Sequence, residues 1–414
     1  MTTVSFDHHS PEYAHGWREI NADLRGRCPV ARTDAHGGFW VISKYDDVAA
    51  VARDDATFSS YQELPDGSRT GATIPVAPLR QVPIEMDPPE FFAYRKLLNP
   101  SFSPASVKAW EPFVRDVTTF CLDRVIAAGT TDLIRDIASP VPAILTLRVL
   151  GLPTEDWQVF SDTTHDLVHT VPGTPENDTA LAGMFALIGQ ITQTIVERRA
   201  APADDLISHL VRSEIDGRPL TDERLMEVIT LVILGGVDTT GSLIGNALHW
   251  LQHHPEQRER LRVDPSLLPA ATEEFLRFFS PVPGLARTAT TDCVIGGQTI
   301  AAGDRLFLSW SSANHDEDAF DAPGEVRLDR TPNRHQSFGL GIHRCLGSNV
   351  ARLEFRVVLE EVLRRLPDYV IDVEAATPYS SIGVVNGWVS LPATFTPAAP
   401  QGSDFSSERT SDHR

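Results

Sequence analysis

Apolar side chains recur every three or four residues along most of the chain, a spacing that predicts amphipathic helices. We predict helices at residues 12–25, 45–52, 89–99, 104–128, 156–169, 178–200, 221–253, 268–278 and 345–365. Short runs rich in β-branched and aromatic residues predict strands at residues 39–43, 293–295, 306–309 and 388–391. The expected fold class is therefore mainly α with a small β-rich subdomain.

The predicted helix at residues 221–253 differs from the others because its centre is weak. Thr221 suits the N-cap, and Pro255 ends the pattern after about 33 residues, on the order of 50 Å of helix. The centre reads GGVDTTG, residues 235–241, and each glycine costs about 1 kcal/mol in a helix interior. Close helix packing would explain the glycines, but it leaves Asp238 beside two threonines without a reason.

The overall charge and the absence of export features restrict the classes of partner. The chain has 56 acidic and 36 basic residues, a net charge of −20, which argues against nucleic acid or an anionic membrane as main partner. We identify no run of roughly 20 apolar residues that would cross a bilayer, and residues 1–10 lack the features of a signal peptide. We therefore expect a cytoplasmic protein without membrane insertion.

The composition is that of an ordinary globular protein, with 42% hydrophobic residues. No internal repeat and no glycine–serine linker divides the chain, so we predict a single domain over residues 1–397. Residues 398–414 are polar, rich in serine and charge, and without periodicity. We predict that they form a disordered C-terminal tail.

The segment FGLGIHRCLG, residues 338–347, carries the strongest chemical signal. Two glycines before Cys345 allow a tight turn close to a flat ligand, and the helical pattern that follows places the thiol near a helix N-terminus, where a thiolate is favoured. A thiolate can ligate haem iron and promote O–O cleavage.

Three other interpretations of this segment are weaker. A phosphate-binding loop would need a third glycine and a Lys-Ser/Thr ending, and half a zinc site would need a second ligand pair nearby. Cys345 could also be a buried core cysteine, which is the role that we assign to Cys28, Cys121 and Cys293.

The segment matches the cysteine-loop signature F-G-x-G-x-H-x-C-x-G of the cytochrome P450 family at every specified position. Residues 235–240 resemble the family's oxygen-activation motif, [AG]-G-x-[DE]-T-[TS], and residues 274–277 resemble its E-x-x-R motif. Residues 313–330 are similar to the family's meander, although Val326-Arg327 replaces the usual Phe-Asp. Residues 86–95 resemble the start of its haem-facing helix, although Phe91 stands where bacterial relatives often carry histidine.

The chain is thus identified from its motifs as a member of the family, similar to its soluble bacterial representatives. The resemblance implies the cytochrome P450 fold, a triangular helical prism with a long central helix. It also implies haem b, iron protoporphyrin IX, as cofactor, with Cys345 as the proximal iron ligand.

The resemblance assigns further site residues. Phe338 would cover the sulfur side of the porphyrin, and Gly347 closes the cysteine loop. The cations expected to meet the haem propionates are Arg95, Arg287 and His343. In the central helix, Thr239 would hydrogen-bond the activated oxygen and Asp238 would help to deliver protons to it. Outside this site, the resemblance implies a structural, non-catalytic charge network of Glu274, Arg277 and Arg330.

The activity implied by the resemblance is that of a haem-thiolate monooxygenase. It would activate O2 with electrons from a separate ferredoxin or flavodoxin and its reductase, and hydroxylate or epoxidise a small hydrophobic substrate. A terpenoid, a steroid, a macrolide or an aromatic metabolite all fit. Two alternatives stay open, an oxidative coupling enzyme and a non-catalytic haem-binding protein, whereas the acid–alcohol pair weighs against a peroxygenase.

Family position also suggests where the substrate and the electron donor bind. The substrate pocket would be lined by residues 61–81, 170–178, 282–286 and 382–385, together with Leu234 and Val237. These segments are mostly apolar, which favours a hydrophobic substrate. A basic docking face for the electron donor would consist of Arg95, Lys96, Lys108, Arg115, Arg344 and Arg352.

Overall fold

The computed structural model describes residues 3–64 and 67–405. Within these ranges the α-helices are α1 (Pro11–Arg27), α2 (Tyr45–Arg53), α3 (Glu90–Leu98), α4 (Pro104–Lys108), α5 (Glu111–Val125), α6 (Pro140–Leu150), α7 (Trp157–His169), α8 (Pro175–Ala200), α9 (Leu206–Val211), α10 (Asp222–Gly236), α11 (Asp238–Gln252), α12 (Pro255–Val263), α13 (Leu268–Phe279), α14 (Trp310–Ala313) and α15 (Ser348–Arg365). The strands are β1 (Val30–Thr33), β2 (Phe39–Ile42), β3 (Phe58–Ser59), β4 (Thr130–Asp132), β5 (Glu214–Ile215), β6 (Arg218–Pro219), β7 (Gly284–Ala289), β8 (Cys293–Ile295), β9 (Gln298–Ile300), β10 (Arg305–Ser309), β11 (Val370–Ile371), β12 (Thr377–Pro378), β13 (Trp388–Ser390) and β14 (Pro392–Thr394).

Several helices begin with the same local chemistry, a hydroxyl N-cap followed by proline. Ser10, Ser103 and Thr174 each accept a hydrogen bond from a backbone N–H of the first turn. Proline follows each of them at the first helical position, where no backbone N–H is needed. Thr221 caps α10 in the same way, as the sequence predicts.

The β-rich part is a five-stranded sheet in the order β1-β2-β10-β7-β3. Strand β10 pairs in parallel with β2 and antiparallel with β7. Short two- and three-stranded sheets complete the β structure of the described residues. The large sheet matters for the site because β7 carries Arg287.

The helical core surrounds α10 and α11, which together form the predicted central helix and are interrupted at Val237. A side chain at Gly236 would collide with the hydroxyl of Thr146 on α6, at 2.6 Å from the added carbon. Close helix packing therefore explains Gly236. Gly235 has no such neighbour, so packing does not explain the whole glycine cluster.

Two of the predicted helices differ in extent from the structure, and other helices were missed. The segment at 104–128 divides into α4 and α5, since Pro112 at the start of α5 interrupts the helical hydrogen bonds. The segment at 345–365 becomes helical only at Ser348, so Cys345 lies in the loop before α15. Helices α6, α9 and α12 were not predicted.

The predicted C-terminal tail lies partly within the described residues. Residues 398–405 contact α5: Ser403 donates a hydrogen bond to Asp116, and the ring of Phe405 packs edge-on against Phe113 and Phe120. In the structure, residues 398–405 are therefore packed against the domain and not disordered. Residues 406–414 lie outside the described residues, and the domain boundary at 397 stays a prediction.

Two helical segments have the length and composition of a membrane span, contrary to the sequence-based expectation. In the first, Asp222–Gln252, 67% of the 18-residue apolar stretch is buried inside the protein, as in a core helix. The second, Pro175–Ala200, buries residues at three- or four-residue spacing, among them Ala180, Met184 and Leu187. That spacing is typical of a helix that packs one face on a protein core.

Candidate functional site

A cavity of about 580 Å³ lies between the start of α15 and the break in the central helices. Cys345 and Phe338 line it on one side, and Gly235 and Thr239 line it on the other. Its wall also includes the predicted Arg95, Arg287, His343 and Gly347. All but one of the predicted site residues therefore surround one cavity, the exception being Asp238.

The backbone of the cysteine loop is folded tightly around Cys345. The N–H of Cys345 donates to the Phe338 carbonyl at 2.8 Å. Gly341 has φ +68°, and a side chain there would approach the Ala52 carbonyl to 2.4 Å, so only glycine fits. The loop is thus held against α2 with the cysteine side chain facing the cavity.

The surroundings of the Cys345 thiol act on its pKa in opposite directions. Burial among apolar atoms raises the pKa, while the Gly347 N–H and the positive charges of Arg95, Arg344 and Arg352 lower it. The net shift is upward. A metal ion bound at the sulfur would oppose this upward shift and favour the thiolate.

Cationic groups without carboxylate partners line one side of the cavity. Arg287 is 3% exposed and donates its one protein hydrogen bond to the Ala286 carbonyl, and burial lowers its pKa to about 10. Arg95 donates to the Arg344 carbonyl, and burial lowers its pKa too. In the described part of the chain neither arginine forms an ion pair.

His343 completes this group. Its Nε2 lies 3.0 Å from the Ser60 hydroxyl, and its Nδ1 is buried without a partner. Burial lowers the pKa of His343 to about 3, with the charges of Arg287 and Arg95 adding to the effect. The ring packs 4.4 Å from that of Phe91, the residue that replaces the histidine usual in bacterial relatives.

These features fit a flat apolar ligand that carries carboxylates and a metal ion. Buried, uncompensated arginines are costly, and anionic groups would compensate them. The unpartnered nitrogen of His343 offers a further polar contact, and the thiol of Cys345 offers a metal ligand in the same cavity. Haem has this combination of groups.

The break between α10 and α11 opens the helix towards the cavity. The hydroxyl of Thr239 donates to the Gly235 carbonyl at 2.8 Å. In an unbroken helix that carbonyl accepts the backbone N–H of residue 239. Thr239 therefore presents its side chain at the cavity wall while it shares the carbonyl at the break.

Asp238 points away from the cavity into a buried polar network. Its carboxylate accepts hydrogen bonds from Tyr379 at 2.9 and 3.1 Å and from Ser242 at 3.2 Å. Nδ1 of His165 lies 3.0 Å from the same carboxylate. Nε2 of His165 is buried without a partner.

The network shifts the pKa values of the two groups that contact Asp238. Burial lowers the pKa of His165, but the hydrogen bond and the charge of Asp238 outweigh it, so the net shift is upward. Burial and the Asp238 charge hold the pKa of Tyr379 well above its ordinary value, so this phenol donates. His165 and Tyr379 are site residues that sequence reasoning missed, since neither belongs to a motif.

Glu354 is a second residue that was not predicted. It lies on α15, is 2% exposed and lines the same cavity. Burial raises its pKa to about 8, and a hydrogen bond with Thr240 opposes this shift. At neutral pH the side chain is thus a buried carboxylic acid, which can donate a hydrogen bond.

The E-x-x-R motif forms the structural network that the resemblance implies. Glu274 receives two hydrogen bonds of 2.8 Å from Arg277, and Arg330 donates to it at 2.9 Å. Asn333 and the backbone N–H of Arg327 donate further hydrogen bonds to the carboxylate of Glu274. These groups hold the meander against α13 and do not reach the cavity.

The expected substrate-contacting segments mostly line the cavity. Residues 72–81, Pro172, Asn177, Leu234 and the Val282–Leu285 region do so, as do Val384 and Val385. Val237 and Ile382 are buried in the protein core instead. Val237 lies at the helix break with its side chain packed in the main hydrophobic cluster, so it is not a substrate contact.

The sequence is similar to those of known oxygenases over nearly its full length. The sequence model described as cytochrome P450 matches residues 182–367. A steroid C26-monooxygenase of Mycolicibacterium smegmatis is 36% identical over 93% of this chain and 94% of that protein. An erythromycin C-12 hydroxylase of Saccharopolyspora erythraea is 38% identical over 81% of this chain and 84% of that protein.

The structure is likewise similar to solved structures of the family. A mutant of P450 EryK in complex with erythromycin B superposes with a TM-score of 0.84 at 33% identity, over 95% of this chain and 100% of that chain. CYP109E1 from Bacillus megaterium in complex with testosterone gives 0.83 at 29% identity, over 93% and 99%. The chain therefore belongs to the cytochrome P450 family and is a soluble bacterial monooxygenase that uses haem b, O2, a hydrophobic substrate and a redox partner.

Proposed function

We propose that Cys345 would ligate the haem iron and that Arg95, Arg287 and His343 would hold the propionates. The support is that the thiol lines the same cavity as Arg95 and Arg287, which have no carboxylate partner among the described residues, and as His343, whose Nδ1 is buried without a partner. Phe338 covers the sulfur side, and the Gly347 N–H donates to the sulfur. When bound, the haem supplies thiolate-ligated iron, which activates O2 for insertion into a C–H or C=C bond.

Asp238 and Thr239 supply the protons that O2 activation consumes. Thr239 presents a hydroxyl at the cavity wall, and this hydroxyl donates a hydrogen bond to the Gly235 carbonyl. Asp238 lies behind the cavity wall and would receive its protons from His165. After taking a proton from His165, the Asp238 side chain would rotate towards Thr239 and pass the proton on, which is general acid catalysis by a positioned carboxyl group.

The roles of this pair are tested by the coupling of electron consumption to product formation. Asp238→Asn and Thr239→Ala should each retain the haem spectrum, while product formed per NAD(P)H consumed falls on the order of 10²-fold. Asp204→Asn, at an exposed position between α8 and α9, is the matched control and should behave as wild type. Unchanged coupling in Asp238→Asn would falsify the assignment.

For the substrate we infer a hydrophobic, uncharged molecule of polycyclic size, with steroids first. The observation that carries this is the predominantly aliphatic wall opposite Cys345, which includes Ile74, Val76, Leu79, Leu181 and Leu234. Relatives named as a steroid C26-monooxygenase and an erythromycin C-12 hydroxylase support large apolar substrates. Their names also favour oxygen insertion over oxidative coupling.

This inference is tested by optical titration of the ferric protein. Binding of a substrate displaces the water ligand of the iron and shifts the haem absorption. We expect testosterone and cholest-4-en-3-one to cause this shift at micromolar concentrations, and erythromycin to do so more weakly. A response to small aromatic compounds with none to steroids would contradict the assignment.

The electron donor is, in our proposal, a ferredoxin that docks near the cysteine loop. Of the six cations that sequence analysis grouped there, Arg115 is paired with Glu360 and Glu361, and Arg352 is paired with Glu273. Arg95 faces the cavity. The exposed cations left for an acidic partner are Lys96, Lys108 and Arg344.

Arg344→Glu should therefore raise the KM for ferredoxin at low salt, and the effect should diminish as salt screens the charges. Arg148→Glu, at an exposed position on α6, is the matched control. If Arg344→Glu leaves the KM unchanged, the docking face lies elsewhere. A cytoplasmic location, where reduced ferredoxin is available, is part of the same proposal.

A further inference from the structure

A cluster of histidine and carboxylate groups lies where the N-terminal segment meets the β1–β2 hairpin, and one of its members, His8, also lines the cavity. Asp7 and His8 precede α1, and His36 lies in the turn between the two strands. One ligand atom from each of the three residues lies within 4.8 Å of the other two. Nε2 of His36 is 2.8 Å from Oδ1 of Asp7.

His8 is prepared as a neutral nitrogen ligand. Its Nε2 lies 2.7 Å from the Ile74 carbonyl, which can only accept, so the ring proton is on Nε2 and the lone pair is on Nδ1. Nδ1 is buried and has no hydrogen-bond partner among the described residues, and the residue as a whole is only 1% exposed. A hydrogen bond from one ring nitrogen to a backbone carbonyl is the usual second contact of a metal-bound histidine.

The neighbouring His9 differs from His8 because both of its ring nitrogens have partners, so it helps to hold the segment in place. Its Nε2 contacts the same Ile74 carbonyl at 2.9 Å, and its Nδ1 contacts the Ser381 hydroxyl at 3.2 Å. Both ring nitrogens of His9 are thus occupied. Of these two histidines, only His8 has a ring nitrogen, Nδ1, with an unused lone pair.

The backbone places His36 over this pair at a conformational cost. His36 has φ +50°, an uncommon value for a residue with a side chain. Its ring lies 5.8 Å from that of His8 and 5.6 Å from that of His9. The carboxylate of Asp7, in the N-terminal segment, contacts His36 of the hairpin. Asp7 and His36 are partly open to solvent, so an ion could enter.

We propose that Asp7, His8 and His36 bind a divalent transition-metal ion, with Zn²⁺ as the preferred occupant and solvent in the fourth position. Two imidazole nitrogens and one carboxylate oxygen suit Zn²⁺, whereas Ca²⁺ and Mg²⁺ prefer oxygen ligands alone. None of the three residues is among the proposed haem-binding or proton-delivering residues, although His8 lines the same cavity. It would link the N-terminal segment, the hairpin and, through the His8 hydrogen bond to Ile74, the loop that lines the cavity.

The test is isothermal titration of the chelator-treated holoprotein with ZnCl₂. Wild type should bind one Zn²⁺ per chain, and His36→Asn and Asp7→Asn should each weaken binding by about tenfold or more. Asparagine tolerates positive φ, so His36→Asn should keep the turn. His15→Asn, an exposed histidine on α1, is the matched control and should bind as wild type.

Electron paramagnetic resonance of the Cu²⁺-loaded protein supplies a second readout. The spectrum should show coupling to two nitrogen nuclei in wild type and to one in His36→Asn. No one-to-one binding of Zn²⁺ by wild type, or equal affinity in wild type and His36→Asn with an unchanged Cu²⁺ spectrum, would overturn the proposal.

Discussion

Nδ1 of His165 lies 3.0 Å from Oδ1 of Asp238, although the two residues are 73 positions apart. The contact connects α7 to the break in the central helices. Tyr379 donates to the same carboxylate, so the acid expected to deliver protons is held by groups from two distant parts of the chain. The position and charge of Asp238 therefore depend on residues that no sequence motif includes.

The first prediction concerns the pH dependence that His165 confers. The groups around it are Asp238, Asp166, Arg135, His169 and Tyr379, and the net effect raises its pKa. A raised histidine pKa means that the charged pair with Asp238 is complete below the ordinary pKa and is lost as the pH rises through the raised value. Coupling in wild type should change over this window above pH 6.5.

His165→Gln should remove this pH dependence and leave the haem spectrum unaltered. The measurement is product formed per NAD(P)H consumed between pH 6 and 9, with His15→Gln as control. A retained titration in His165→Gln would assign the ionisation to another group.

The second prediction concerns Arg287. Replacement by methionine removes a buried charge that has no carboxylate partner, so the apoprotein should unfold at equal or higher denaturant concentration. Haem retention should nevertheless fall, with dissociation faster by about 10- to 100-fold because a charge-assisted hydrogen bond is lost. Transfer of haem to excess apomyoglobin measures this rate, and Arg148→Met is the control.

If Arg287→Met instead destabilises the apoprotein and leaves haem retention unchanged, the arginine has a structural role. The opposite signs expected for the two measurements distinguish the cases.

The third prediction concerns Glu354, whose pKa burial raises to about 8. The folded protein then binds a proton that the unfolded chain releases above its ordinary pKa near 4.5. Stability should therefore decrease as the pH rises from about 4.5 to 8. Glu354→Gln removes this dependence, and its stability relative to wild type should increase by roughly 1–3 kcal/mol over that range.

Equilibrium urea unfolding of the holoprotein at pH 5, 7 and 8.5 measures the difference. Glu259→Gln, on the exposed face of α12, should show no such trend. Parallel pH curves for wild type and Glu354→Gln would mean that the carboxyl group is ionised in the folded protein.

The fourth prediction concerns the charge network of Glu274. Glu274→Ala leaves Arg277 and Arg330 buried without their carboxylate, which should cost about 3–5 kcal/mol of unfolding free energy. Thermal unfolding measures the loss, with Glu259→Ala as control. A change of less than 1 kcal/mol would mean that other acceptors replace the carboxylate.

Local chemistry made much of the fold predictable. The Thr221 cap, the weak centre at residues 235–241 and the cysteine loop all depend on neighbouring residues, and the structure has them where the sequence predicts. Helix α6 was not predicted because it is apolar on all sides and begins with Pro140 and Pro142, so periodicity gave no signal.

The missed site residues depend on tertiary contacts. His165 looks like a polar position on an amphipathic helix, and Tyr379 is 141 residues from Asp238. Glu354 looks like a solvated residue of α15 until packing against the central helix buries it. The direction in which Asp238 points could not be derived from the motif either, since the motif fixes its place on the helix and not its partners.

The axial bond from Cys345 to the haem iron is tested most directly by the absorption spectrum of the ferrous protein under carbon monoxide. Wild type should show the strongly red-shifted Soret band of thiolate ligation, and Cys345→His should show the band of histidine-ligated haem. A thiolate-type band that persists in Cys345→His, or a histidine-type band in freshly purified wild type, would contradict the assignment.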